Sequence, residues 1–128
     1  MSLGFDSLTI DCADPVRLAT FWAAALGFEA SDLDPEGSWI DDPTGGVRGI
    51  FFQLVPEPKL VKDRIHLDLR PGVAMADEVE RLAGLGATIL GRVDEGGSFW
   101  TVMQDPEGNE FCVLRGPADG WTPTAEPA

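Results

Sequence analysis

His66 is the sole histidine in a chain of 128 residues, and Asp68 and Arg70 follow it at alternate positions. Alternate side chains of an extended strand share a face, so these three are expected to stand together on one polar surface. A carboxylate two residues from an imidazole orients and tunes it, which would give a general base near neutral pH. The same histidine would also serve as a ligand contact without chemistry, or as a hydrogen-bonded residue that only shapes the surface. Near the other end of the chain, Glu110 and Cys112 share a face by the same alternation. Cys112 as a nucleophile needs a base and a lowered pKa, for which His66 is the one group on offer; a buried, inert thiol is the simpler expectation.

Strand-like patterns are needed to hold these groups. Leu8 and Ile10 alternate with Ser7, Thr9 and Asp11, and Ile65, Leu67 and Leu69 alternate with His66, Asp68 and Arg70, so each segment has one apolar and one polar face. A helix is expected after each. The first starts at the N-cap and proline pair Asp14-Pro15, buries Val16, Leu18, Ala19, Trp22, Ala25 and Leu26, and ends at Gly27. The second buries Met75, Val79, Leu82 and Leu85, keeps Asp77, Glu78, Glu80 and Arg81 wet, and ends at Gly86. Short β-like segments follow around 29–30, 38–40 and 49–55, and again around 87–90, 98–103 and 109–114. Turn chemistry such as Asp34-Pro35-Glu36-Gly37 and Asp105-Pro106-Glu107-Gly108 separates them.

The two halves share a spacing. Ser7 to Gly27 and His66 to Gly86 are each 20 residues, and Ser7 to Gln53 and His66 to Cys112 are each 46, so a shift of 59 relates the halves. Leu8 then meets Leu67, Ile10 meets Leu69, Leu26 meets Leu85 and Phe52 meets Phe111. The reading is an α+β fold: two βαβββ repeats, about 5–56 and 64–115, forming a cupped, partly closed mixed sheet with helices on the outer face. They make a single domain over 1–115, followed by an irregular tail over 116–128 that Trp121 either anchors or leaves mobile. The polar face lines the concavity. By parity Thr9, Asp11, Phe51 and Asp68 face it, with Val55 and Leu114. Trp39 and Trp100, offset by 61, stand near equivalent places and would either stack on a planar ligand or pack in the core. Trp22 belongs to the core.

Composition excludes several classes. The net charge of −13, from 22 acidic and 9 basic residues, repels phosphate backbones and anionic lipids, so neither nucleic acid nor membrane is an expected partner. That field would favour a cationic ligand, although acidity often serves only solubility. Cys12 and Cys112 are too few for a disulfide framework, and strand parity puts them on opposite faces, so reduced thiols are expected. The first six residues lack a basic region followed by an apolar run, and no apolar stretch is long enough to span a bilayer, which makes the cytoplasm the expected address.

The run from Asp14-Pro15 through Phe21-Trp22 to Leu26-Gly27-Phe28, the segment His66-Leu67-Asp68-Leu69, the ending Leu85-Gly86-Ala87 and the motif Asp105-Pro106-Glu107-Gly108-Asn109-Glu110-Phe111 resemble the glyoxalase/bleomycin-resistance/dioxygenase (vicinal oxygen chelate) superfamily over about residues 5–115. The resemblance implies that metal-dependent relatives hold one divalent cation on four inward side chains. Here those positions are Ser7, Gln53, His66 and Cys112. His66 is the one strong ligand among them; Gln53 is weak, Ser7 poor, and Cys112 binds only as a thiolate. Glu110 would supply the missing carboxylate or stand at the strand entry. A divalent metal (Zn, Ni, Fe or Mn) is therefore a possible cofactor and none is certain.

Two main functions follow. The first is a binding or sequestering protein of the bleomycin-resistance type, holding a small organic molecule in the cup on Ser7, Thr9, Asp11, Trp39, Phe51, Gln53, Asp68, Arg70, Trp100 and Cys112. The alternative is a metal-dependent lyase, isomerase or oxygenase using His66 with Gln53 or Glu110, in which His66 and Glu110 are the catalytic groups. A methylglyoxal glyoxalase is disfavoured because its ligands are missing. A homodimer is the expected assembly, and an accessory domain working only in such a pair is the third reading.

Overall fold

A computed structural model describes residues 2–123. The chain divides into two compact units at Leu60 and Val61. The first contains β1 (Ser7–Cys12), α1 (Pro15–Leu26), β2 (Glu29–Asp32), β3 (Gly37–Asp41) and β4 (Gly49–Leu54). The second contains β5 (Leu67–Leu69), α2 (Met75–Leu85), β6 (Thr88–Glu95), β7 (Ser98–Gln104), β8 (Glu110–Leu114) and a 3-10 turn at Pro117–Asp119. Both follow the expected βαβββ order. The strands form two open four-stranded sheets, β1-β4-β3-β2 and β5-β8-β7-β6. In each, the first strand pairs parallel with the last and the others pair antiparallel, so both sheets are mixed.

Local chemistry sets the helix ends. The Asp14 carboxylate accepts from the Arg17 backbone N–H at 3.2 Å, Pro15 opens α1, and Gly27 closes it at φ 71°, a conformation that glycine adopts without a Cβ penalty. Helix α1 packs on β2, β3 and β4 and buries Leu18, Ala19, Phe21 and Trp22; Ile40, Ile50 and Phe52 are buried on the strands. Helix α2 packs on β6, β7 and β8, with Met75, Val79 and Leu82 buried, as are Met103, Phe111 and Val113 on the strands. Burial of each large side chain contributes roughly 1.5–3 kcal/mol.

Helix α2 has no capping side chain of its own. The C-terminal segment supplies one: Asp119 accepts from the Met75 N–H at 2.7 Å and from the Gly116 N–H at 2.8 Å. Trp121 lies under the Arg70 guanidinium, 4.1 Å from ring centroid to carbon, so the tail is anchored at Trp121, and 124–128 of it fall outside the described residues. The backbone hydrogen bonds hold the Asp119 carboxyl below its ordinary value of 3.8. A depressed folded-state pKa stabilises the fold above the unfolded-state value and loses that contribution as pH falls through the folded-state value. Asp119→Ala is therefore expected to lose about 1 kcal/mol near neutrality, read as a drop in the urea midpoint. The deficit should shrink below about pH 3.8; a deficit unchanged there would contradict the carboxylate cap.

Three details depart from the sequence reading. Leu85, expected on the buried face of α2, is 39% exposed at its last turn, beyond the buried Met75, Val79 and Leu82. Ile65, expected in the apolar row, is 79% exposed because β5 begins only at Leu67, which also places His66 and Arg70 just outside the strand. The repeat is not register-perfect either. Leu8 faces Ile50, 42 residues on, whereas Leu67 faces Phe111, 44 residues on, so no single shift superposes both strand pairs.

Candidate functional site

Parity holds at the site even where register does not. In the first unit, Asp11 lies opposite Gln53 and Thr9 opposite Phe51, while Ser7 lies opposite Gly49. Ser7 and Gln53 therefore share a face but sit four ladder positions apart, roughly 13 Å along the strands. They do not converge as the 46-residue spacing suggested. Thr9, Asp11 and Gln53 are exposed, and Ser7 is half-buried.

In the second unit, Asp68 lies opposite Cys112 and brings three donors together. The Nδ1 of His66 is 3.2 Å from Asp68 Oδ1 and 4.0 Å from Cys112 Sγ. One ligand atom each from His66, Asp68 and Cys112 falls within 4.8 Å of the others. The carboxylate next to Nδ1 favours the tautomer that carries its proton there, which leaves the Nε2 lone pair as the acceptor. Cys112 is buried, and its thiol is pushed up to about 11, first by burial and then by the charge of Asp68, hydrogen bonding to it and the charge of Glu110. At pH 8 only about one molecule in a thousand carries the thiolate. Alkylation of Cys112 by iodoacetamide is expected to be slow at pH 8 and to accelerate toward pH 11; an inflection near 8.5 would show an ordinary exposed thiol instead. Neither cysteine forms a disulfide.

Glu110 is placed otherwise than expected. Its Oε1 accepts from Lys62 Nζ at 2.8 Å, and its backbone N–H donates to Asp63 Oδ2 at 2.9 Å. Its carboxylate is held by a cation, and the carboxylate beside His66 is that of Asp68. Arg70 is turned to the C-terminal segment, donating to the Arg115 carbonyl at 2.8 Å and stacking on Trp121. Trp39 lies opposite Phe51, with ring centroids 5.0 Å apart, and Arg48 covers it at 4.3 Å. Trp100 lies opposite Leu114 and Val93, a different ladder position from that of Trp39. Lys62, Asp63 and Arg48 were missed by the sequence reading; they lie outside the periodic segments and carry no local signal.

The donors only partly match the four-position metal set that the resemblance implies. Ser7 and Gln53 are held apart, and Cys112 would have to give up its proton to serve as a ligand. The three donors that do meet come from one unit and include Asp68, which that set omits. As a four-ligand centre the residues do not fit. The Asp105-Pro106-Glu107-Gly108-Asn109 motif is structural: the buried Asp105 carboxylate accepts from the Glu107 and Asn109 N–H groups and from Asn109 Nδ2, at 2.9–3.0 Å.

Solved structures share this fold across nearly their whole length. A glyoxalase/bleomycin resistance protein/dioxygenase family enzyme from Burkholderia phytofirmans PsJN is 21% identical, with a TM-score of 0.66, over 84% of this chain and 94% of that one. The fosfomycin resistance protein FosX from Listeria monocytogenes is 14% identical, with a TM-score of 0.70, over 89% and 93%. FosX from Mesorhizobium loti is 14% identical, with a TM-score of 0.68, over 98% of each chain. At such identities the likeness speaks for the fold alone. The profile of the glyoxalase-like domain matches residues 7–114, and the chain belongs to that family. Among curated proteins, none matches it. No helix among the described residues is long and apolar enough to cross a membrane.

Proposed function

We propose that this protein binds a small organic molecule on the polar faces of its sheets, and that it does so without a four-ligand metal centre. The meeting of His66, Asp68 and Cys112 carries the reading: an imidazole oriented by a carboxylate beside a neutral thiol. That trio offers hydrogen-bonding groups to a ligand, with Nε2 as acceptor, and supplies three donors where a closed structural metal site uses four. Fosfomycin-resistance proteins among the structural neighbours fit a scaffold that handles small molecules.

Calorimetry with a panel of cationic, neutral and anionic aromatic compounds, run beside quantitative metal analysis of the native protein, tests this. The expected result is saturable binding, weakened roughly tenfold or more in His66→Ala, with metal well below one equivalent. Absence of saturable binding across the panel overturns the binding reading. One equivalent of Zn, Ni, Fe or Mn, lost in His66→Ala, overturns the metal-free reading in favour of a metal-dependent enzyme.

A further inference from the structure

The first unit carries a layered stack remote in sequence from the His66 trio. Strand alternation puts Gly37 and Trp39 on the same face of β3, away from the buried Ser38 and Ile40. Phe51 comes from β4, opposite Trp39, and its ring lies over Gly37, where any Cβ would collide with it. Glycine at 37 is thus what lets the Phe51 ring lie down on the sheet. Trp39 packs against that ring at 35°, and the Arg48 guanidinium covers Trp39. The Arg48 backbone is pinned on both sides, its N–H donating to the Asp6 carbonyl at 2.8 Å and its carbonyl accepting from the Asp42 N–H at 3.4 Å. The platform is therefore built in advance.

Its charges are unspent. In a chain with 22 acidic and 9 basic residues, the Arg48 guanidinium has neither an ion pair nor a hydrogen bond among the described residues, and the Trp39 indole N–H likewise has no acceptor. A guanidinium carries its N–H groups in one plane and can grip a carboxylate through two parallel bonds, and here it lies over the Trp39 ring. The ring face that would attract a cationic ligand is already covered by a cation. At physiological salt the screening length is about 8 Å, so acidic groups beyond it act weakly on a group in contact with Arg48, and the nearby Asp42 carboxylate accepts from Thr44 and Val47.

We infer that Arg48 and Trp39 recognise the carboxylate of a planar organic anion, whose apolar body lies against the Trp39–Phe51 pair. The inference rests on the reading of the protein as a small-molecule binder, and it sets the sign of the ligand opposite to that suggested by the net charge.

Three naphthalene probes of one shape separate the possibilities by calorimetry: 2-naphthoate, 2-naphthalenemethanol and 2-naphthylmethylammonium. Naphthoate is expected to bind at least tenfold more tightly than the other two. Arg48→Gln should remove that advantage, bringing naphthoate to the affinity of the alcohol, and Arg48→Lys should retain part of it. Because Arg48 is exposed and its backbone bonds do not depend on its side chain, far-UV circular dichroism should show both variants folded. Equal or tighter binding of the alcohol or ammonium probe overturns the inference, as does a naphthoate affinity unmoved by Arg48→Gln; either result leaves small-molecule binding standing. If none of the three binds while another panel compound does, the anion platform alone is refuted. If nothing binds at all, the broader reading falls with it.

Discussion

Trp22→Ala is expected to lower the unfolding free energy by about 3–5 kcal/mol, the range for emptying a large aromatic site in a packed core. Trp22 is 2% exposed on the buried face of α1, and its ring meets Phe21 edge to face, with centroids 5.2 Å apart at 86°. Removing it forfeits both the buried area and that contact, and it leaves a cavity beneath strands that only partly relax. Against a total stability of roughly 5–15 kcal/mol, this is enough to unfold a marginal domain. Urea denaturation reads it as a fall of roughly 2 M in the midpoint, taking a slope near 2 kcal/mol/M. A loss under about 1 kcal/mol would mean that the indole is not packed as described.

Gly49→Ala is the second large effect, and its cause is the backbone. Gly49 sits at the start of the central strand β4, paired with Ser7 on one side and Asp41 on the other. Its φ is 153°, and a Cβ there would run into the carbonyl oxygen of Ile40, which belongs to the neighbouring strand and cannot swing aside. Conformational strain of roughly 1–3 kcal/mol adds to an overpacking penalty of similar size. Together they are expected to remove about 3 kcal/mol or more. Gly91→Ala supplies the contrast: the added Cβ meets open space at an ordinary φ, and the change should stay within about 0.5 kcal/mol. Similar midpoints for the two variants would refute the steric account.

Among the features that position the site, the elements themselves were legible from short range. Asp14-Pro15 and Gly27 bracket α1 because caps act on the nearest turn. Alternation also assigned faces correctly: Thr9, Asp11, Phe51 and Gln53 share one side of the first sheet, and Asp68 and Cys112 share one side of the second. The choice of partner within a face was less legible. Gln53 was matched to Ser7 and lies opposite Asp11; Glu110 was offered to His66 and is held by Lys62, 48 residues earlier in a segment without period.

A physical reason covers the first of these differences. A strand slipped by one residue turns every side chain to the wrong face and is excluded by the hydrophobic pattern, whereas a slip of two residues restores the pattern in full. The amino-acid sequence by itself therefore determined the order of elements, their ends and the face on which His66, Asp68 and Cys112 would stand. Tertiary pairing alone decided the 42- and 44-residue offsets of the two parallel ladders. Those offsets hold Ser7 and Gln53 apart and bring His66, Asp68 and Cys112 together, so they select which polar groups can act on one ligand.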